Sequence, residues 1–198
     1  MAAIHAAEGW ENSAYATEEL WYYDDGGGNW ACLRFTGSKQ AVLFGHDHEC
    51  SRTYFRNAAK EFGEKETNLL ADAPDWWGNN IEPPEYGPYI GFIYGWDGHK
   101  WWRANYTEND GFKQVGLIRA ISIFGRNSLS DFLVDMPERA RIKDLWTALK
   151  AYILTVNRLR TLIAADANIS EEMLDRIVKR NSQAGVAAAK KFLKVNLD

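Results

Sequence analysis

A six-residue run, Gly45-His46-Asp47-His48-Glu49-Cys50, holds the densest group of potential metal ligands in the chain. The imidazoles of His46 and His48, with the carboxylate of Asp47 or Glu49, could bind Zn²⁺ or another divalent cation. A metal ion held there would activate a water molecule for hydrolysis. A small metal-dependent hydrolase that uses the cluster from His46 to Glu49 is therefore the alternative functional hypothesis.

A structural turn explains the same residues without a metal ion. Ligands at alternate positions of an extended turn need a distant third ligand, and the other histidines are His5, near a terminus expected to fray, and His99, beside a predicted hairpin turn. In the structural interpretation, Asp47 accepts backbone N–H groups and Glu49 lies at the N-terminus of a helix. We favour this interpretation and predict neither a bound metal nor a cofactor.

Signatures of other catalytic and cofactor sites do not occur in the sequence. The run Asp24-Asp25-Gly26-Gly27-Gly28-Asn29 matches neither the twelve-residue calcium loop nor the phosphate-binding P-loop. The G-x-S-x-G nucleophile elbow, the H-E-x-x-H zinc motif and the dinucleotide-binding fingerprint are also missing. We therefore expect a protein that is not an enzyme.

Cysteine usage and hydropathy favour a cytoplasmic location. Cys32 and Cys50 are too few for a disulfide framework, and their spacing differs from the C-x-x-C of zinc and redox sites. Residues 1–8 resemble no signal peptide, and nowhere do 18 apolar residues follow one another. We expect a soluble, cytoplasmic protein with no membrane partner.

Charge is distributed unevenly along the chain, although the formal net charge is only −4. Residues 1–135 hold 20 acidic and 11 basic side chains, a net charge of −9, whereas residues 136–198 hold 7 and 12, a net charge of +5. Nucleic-acid binding needs lysine and arginine to neutralise phosphates, so the acidic residues 1–135 argue against a nucleic acid as the partner. A basic protein partner suits this charge, and a plain role in solubility is the other explanation.

Short aromatic and β-branched runs separated by turn residues predict an antiparallel sheet in the first half. Residues 21–23, 30–35 and 40–44 form a predicted three-stranded meander, and residues 89–94 and 100–106 form a hairpin around Asp97-Gly98. Between them, a helix with Ser51 as its N-cap carries apolar residues as far as Phe62 and ends at Gly63. The predicted fold class is α+β: about five antiparallel strands with one or two packed helices, followed by a C-terminal helical segment.

The amino-acid composition changes after Pro137, where glycine becomes rare. Apolar residues from Leu145 to Ile163 recur at alternating four- and three-residue steps, which predicts an amphipathic helix. A second helix is predicted after Asn168 or Ser170, and a third at residues 183–193. We therefore expect an aromatic-rich domain at 1–135 and about three helices at 136–198, packed on that domain.

Eight of the nine tryptophans precede residue 103, and most of them should be core residues. Trp101 and Trp102 point to opposite faces of one predicted strand, so at most one of them can face the core of a one-sided sheet. A binding surface is better sought in the two segments rich in glycine and proline, because loops present side chains whereas strands must pack them. Those segments supply the predicted partner-binding residues Asp24, Asp25, Asp75, Trp76, Trp77, Glu82 and Glu85.

The stretch from Trp30 to Trp102 resembles small bacterial proteins of the immunity-protein kind. The resemblance is carried by the run from Ala41 to Ser51, by Ala73-Pro74-Asp75-Trp76-Trp77, and by the run from Ile90 to Gly98. It implies a single-domain antitoxin that binds a cognate polymorphic or contact-dependent toxin domain and neutralises it without catalysis. A third hypothesis is an adaptor whose helical segment oligomerises through the stripe from Leu145 to Ile163, and the oligomeric state is left open.

Overall fold

The structure, a computed structural model, describes residues 2–37, 39–79, 81–82, 89–113, 115, 157–158, 160–165, 167–178 and 180–194. These residues fall into two compact units. We call the described residues between 12 and 115 the sheet unit, and those of 2–11 and 157–193 the helical unit. The domain boundary predicted near residue 135 lies outside the described residues.

The sheet unit contains one antiparallel sheet in which each strand pairs with its neighbours in the chain. This order confirms the predicted α+β class and both predicted hairpins, and the described residues add one short strand before the meander. The strands are β1 (Ala14–Ala16), β2 (Leu20–Asp24), β3 (Trp30–Gly37), β4 (Gln40–His46), β5 (Phe92–Trp96) and β6 (Trp101–Trp102).

The main core lies on one face of the sheet, where alternate residues of β3, β4 and β5 meet the segments that follow β4. Trp30 and Phe44 are each 1% exposed there, and their rings pack edge to face. The 3₁₀ helix Asp75–Gly78 places Trp77 on the same face, against Gly95. A side chain at residue 95 would clash, because a Cβ built there lies 2.1 Å from the Trp77 indole. Glycine in β5 therefore lets the tryptophan approach the sheet.

The junction after β4 is organised by hydrogen bonds rather than by a helix. Asp47 Oδ1 accepts the backbone N–H of Cys50, as the structural interpretation predicted. The Ser51 hydroxyl accepts the N–H of Asp47 and donates to the carbonyl of Asp110 at 2.9 Å. Ser51 is therefore not a helix cap.

The helix predicted from Ser51 begins later than expected. Helix α2 spans Asn57–Phe62 and ends at Gly63, which has a φ of 66°. The prediction was correct about the end of the helix and about the burial of Ala58 and Ala59. It was wrong about the start of the helix and about Phe62, which is 56% exposed. Glu49 lies eight residues before α2, so it cannot interact with the positive end of that helix as predicted.

The helical unit joins an N-terminal helix to C-terminal helical residues, which include 157–158 and 160–164 and two further helices among the described residues. Helix α1 (Ala2–Glu8) packs against α4 (Ser182–Lys191), where a Cβ at Gly185 would lie 2.4 Å from the Ala3 carbonyl. Helix α3 (Glu171–Asp175) begins as predicted after Ser170, whose hydroxyl accepts the N–H of Met173. A 3₁₀ helix, Phe192–Lys194, follows α4. Helix α4 thus confirms the predicted third helix. The prediction that the N-terminus near His5 is frayed was wrong, because that segment forms the buried helix α1.

Several predicted helical features fall on other parts of the chain. The helix start at Ser128 or Ser130 and most of the stripe from Leu145 to Ile163 lie outside the described residues. At the end of that stripe, Leu162 is buried but Ile163 is 56% exposed, so the inward position predicted for Ile163 is wrong. Among the described helices, none combines the length and the apolar character needed to cross a bilayer.

We expect the substitution Gly95→Ala to destabilise the sheet unit by about 2–3 kcal/mol, because the new methyl group must displace the buried Trp77 ring. Urea denaturation followed by circular dichroism measures the change. Gly37→Ala is the matched control, since a Cβ at that strand glycine meets its nearest atom at an ordinary 3.5 Å. Equal stability of the two variants would contradict the packing described for Trp77.

Acid should weaken the helical unit through His5. Burial lowers the pKa of this imidazole below 6.5, so the folded unit keeps it neutral while the unfolded chain binds a proton. Stability is therefore unaffected well above pH 6.5 and falls as the pH drops from 6.5 towards the lower folded pKa, by no more than about 1.4 kcal/mol per pH unit. Thermal unfolding between pH 7.5 and 5 should show a flatter profile for His5→Leu but not for His99→Gln, which changes an exposed histidine.

Candidate functional site

The turn between β5 and β6 is fixed by the carboxylate of Asp97. Its Oδ1 accepts the backbone N–H groups of His99 and Lys100 at 2.8 and 2.9 Å, and its Oδ2 accepts the indole N–H of Trp102 at 2.5 Å. These donors, with the Lys100 N–H foremost, lower the pKa of Asp97 to about 2. The carboxylate is therefore charged throughout the neutral range and holds both the turn and one tryptophan.

Strand β6 presents two tryptophans at the edge of the sheet. Trp101 is 46% exposed and Trp102 is 47% exposed, although both follow directly from a well-ordered hairpin. The Trp102 indole N–H donates to Asp97, and the ammonium group of Lys100 lies over the Trp102 ring, 3.5 Å from the ring centroid, in a cation–π contact. The Trp101 ring packs on Trp96, with 5.6 Å between the ring centroids. The two exposed rings are thus held in defined positions.

On one side of β6 lies an apolar groove of about 450 Å³, which we call the aromatic groove. Its position on the face opposite the main core follows from the register, in which Ala41 pairs with Trp96 and Trp96 with Trp101. Four of its ten lining residues are tryptophan or phenylalanine, and the Trp21 ring packs edge to face on Phe35. The lining residues are Trp21, Leu33, Phe35, Lys39, Gln40, Ala41, Trp96, Gly98, His99 and Trp101.

A second cavity that borders β6, which we call the charged hollow, has a volume of about 500 Å³ and is lined by Tyr94, Trp101, Trp102, Arg103, Glu108, Asn109, Asp110 and Lys113. At its base the buried Asp110 Oδ2 accepts the hydroxyls of Tyr94 and Tyr106, each at 2.8 Å, and Arg103 Nη1 at 3.1 Å. Burial and then the Asp110 carboxylate raise the pKa of Tyr94 to about 12, and that of Tyr106 also rises. Both tyrosines therefore stay protonated at neutral pH and keep donating to Asp110. Trp101 belongs to the walls of both cavities.

The predicted metal ligands do not converge. His46 is half-buried, its ring packs edge to face on Tyr89, and burial, then the neighbouring His48, lower its pKa. His48 and Glu49 are exposed, and the backbone N–H of His48 donates to the Asn29 side chain. Within the described residues no group of three His, Cys, Asp or Glu side chains could hold a metal ion. The described geometry thus gives the hydrolase hypothesis no assembled site.

Two of the predicted binding residues, Asp24 and Asp25, lie at the tip of the β2–β3 hairpin. Asp25 Oδ1 accepts the N–H of Gly27, and Asp24 is half-buried and accepts the Tyr22 hydroxyl. In the register, this tip is level with His46, whereas β6 is level with Ala41 at the other end of β4, roughly 17 Å away at ~3.4 Å per residue. The acidic tip and the exposed tryptophans thus occupy opposite ends of the sheet.

The remaining predicted binding residues lie in the segment after α2. Asp75 and Glu82 are exposed, and Trp76 is half-buried against the main core. Trp77, a predicted partner-binding residue for which burial was the other possibility, is only 3% exposed, because its ring fills the space over Gly95. Glu85 lies outside the described residues.

The sequence pattern predicts that at most one of Trp101 and Trp102 faces the core, and the structure leaves both of them exposed, for which a signal exists in the sequence. The alternation of a strand stops after Trp102, where the sequence continues as Arg103-Ala104-Asn105. A two-residue strand at the end of a meander has to be an edge, and an edge strand has no outer neighbour to cover its side chains.

Comparison with protein-family models, curated proteins and solved structures finds no match to this chain.

Replacing Asp97 by Asn should loosen Trp102 while keeping the turn. The amide oxygen of Asn can still accept the two backbone N–H groups, but its NH₂ group cannot accept the indole proton of Trp102. We expect the Trp102 indole resonance to move and its side-chain order to fall in NMR spectra, with the Trp101 resonance less affected. Asp75→Asn, at an exposed acid elsewhere in the sheet unit, should change neither resonance.

Proposed function

We propose that this chain is an immunity protein, which binds a cognate bacterial toxin domain and neutralises it by direct contact and without catalysis. The observation that carries the proposal is the pair Trp101 and Trp102, two adjacent tryptophans that are each nearly half exposed on an edge strand. Tryptophan is enriched among the residues that dominate binding energy at protein interfaces. A contact centred on β6 is therefore the part of the proposal that the geometry supports most directly.

Rigidity strengthens the case for an interface at β6. Asp97 and Lys100 hold the Trp102 ring, and Trp96 supports Trp101. Ordering a flexible side chain at an interface costs about 0.5–1.5 kcal/mol, and rings that are already fixed avoid most of that cost. The assignment of the partner as a toxin domain rests on the resemblance of residues 30–102 to immunity proteins, and β6 ends that stretch.

Charge supports a basic partner through steering rather than through the contact itself. The acidic tip formed by Asp24 and Asp25 stands away from the two exposed tryptophans, at the other end of the sheet. Charges outside a contact act over a Debye length, about 8 Å at physiological ionic strength, and mainly raise the rate of encounter. In this proposal the tip attracts the toxin domain, and β6 holds it.

We expect Trp101→Ala and Trp102→Ala each to weaken toxin binding by about 2 kcal/mol or more, roughly 30-fold, without unfolding the chain. The proposal requires an adjacent gene that encodes a large secreted protein with a short toxic C-terminal domain, and that domain is the partner used. The measurement is growth rescue when that domain is co-expressed with each variant, together with calorimetric titration of the purified pair. Phe62→Ala is the matched control, because Phe62 is an exposed aromatic residue on α2.

Two outcomes would count against the proposal. Failure of the unchanged chain to restore growth would remove the immunity function. Loss of binding on reversing Lys190 and Lys191, which are exposed on α4, with no effect of the Trp101 and Trp102 variants, would move the interface to the helical unit.

A further inference from the structure

We infer that the aromatic groove receives a large apolar side chain of the partner that stands next to a carboxylate. This inference rests on the proposed function and specifies the chemistry of the docking segment. It depends on three properties of the groove, which are its apolar lining, the fixed positions of its rings and the sign of the charge at its rim.

The lining of the groove is predominantly apolar, and its rings are braced in pairs. Trp21 packs edge to face on Phe35 with centroids 5.4 Å apart, and Trp96 packs on Trp101 at 5.6 Å. A volume of about 450 Å³ lies within the range of sites that bury most of a small ligand. The groove therefore offers a preformed space for one or two large apolar side chains, which gain about 25 cal/mol for each Å² of apolar surface removed from water.

The charge of the groove has the opposite sign to that of the surrounding domain. Its titratable lining residues are Lys39 and His99, and among the described residues that line it none carries a carboxylate. The base of the Lys39 side chain lies against the β5–β6 turn: a Cβ at Gly98, whose φ is 92°, would lie 3.2 Å from Lys39 Cβ. Lys39 is thus an exposed cation among the residues that line an apolar space, and its charge favours an anionic neighbour.

The charged hollow across Trp101 lacks this selectivity. It is lined by Arg103 and Lys113 but also by Glu108 and Asp110, and the Arg103 guanidinium is already paired with Asp110. An anionic group gains little in such a balanced setting. The positive charge of Lys39 at the groove therefore favours a partner carboxylate next to the apolar side chain that enters the groove. This holds even when the partner as a whole is basic.

The test uses two capped peptides as probes, acetyl-Glu-Leu-Phe-Glu-amide and acetyl-Lys-Leu-Phe-Lys-amide, titrated into the full chain labelled with ¹⁵N. The indole N–H resonances of Trp96 and Trp101 report occupancy of the groove. We expect the acidic peptide to shift them with a Kd at least fivefold lower than that of the basic peptide. Lys39→Glu should remove or reverse this preference, whereas Lys113→Glu, which changes a lysine of the charged hollow, should leave it intact.

Three results would overturn the inference: equal or weaker binding of the acidic peptide, shifts confined to Trp102 and the charged hollow, or no shift with either peptide at millimolar concentration. These failures are distinct from failure of the proposed function. If co-expression still restores growth and depends on Trp101, the immunity function stands and only the chemistry assigned to the groove is wrong. If the unchanged chain restores no growth, the proposed function fails irrespective of the peptide result.

Discussion

The carboxylate of Asp110 is the interaction on which the candidate site depends. It is 5% exposed, and its Oδ2 accepts hydrogen bonds from β5 through Tyr94 and from the following segment through Arg103 and Tyr106. Its backbone carbonyl accepts the Ser51 hydroxyl, which joins the end of β4 to the same point. Removing this carboxylate would leave the hydroxyls of Tyr94 and Tyr106 without their acceptor, at a cost of about 1–3 kcal/mol for a buried donor. The segment after β6 is therefore tied to the sheet, and no described strand pairs with the open edge of β6.

The exposure of the tryptophans on β6 follows from which parts of the two faces of the sheet are covered by other described segments. On one face, the segments after β4 bring Phe55, Leu69 and Trp77 over the strands. On the other face, the described residues Phe112 and Val115 cover the part of the sheet near Phe92. The far end of that second face keeps its aromatic residues around the groove. Trp101 and Trp102 are therefore the exposed aromatic residues at this end of the sheet, whereas Phe62 is exposed on α2.

The local features of the fold could be predicted from the sequence where a short-range signal decides them. Asp97-Gly98 fixed the hairpin, Gly63 ended α2, and Ser170 capped α3, because each acts within a few residues. The prediction that Ser51 caps a helix was wrong because its hydroxyl donates to a distant partner, the Asp110 carbonyl 59 residues later. A capping residue and a bridging residue have the same side chain, and tertiary contacts decide between them.

The same limit explains why the sequence drew attention to Trp76-Trp77 rather than to Trp101-Trp102. Trp76-Trp77 lies in a segment rich in proline, where local rules favour exposure, whereas Trp101-Trp102 lies in a predicted strand, where one of the two rings could face the core. The burial of Trp77 depends on Gly95, and the exposure of Trp101 depends on how soon the sheet ends after β6. Neither fact is encoded near the tryptophan that it affects.

Separating attraction from docking resolves the apparent conflict between an acidic domain and a cationic groove. Long-range attraction depends on the summed charge, which is −9 over residues 1–135, and therefore favours a basic partner. Docking depends on groups within a few ångströms, and at the groove those are aromatic rings with Lys39 beside them. A partner that is basic overall but carries a carboxylate next to its anchoring side chain satisfies both conditions. A partner that is basic at the anchor as well would be drawn in quickly and held weakly.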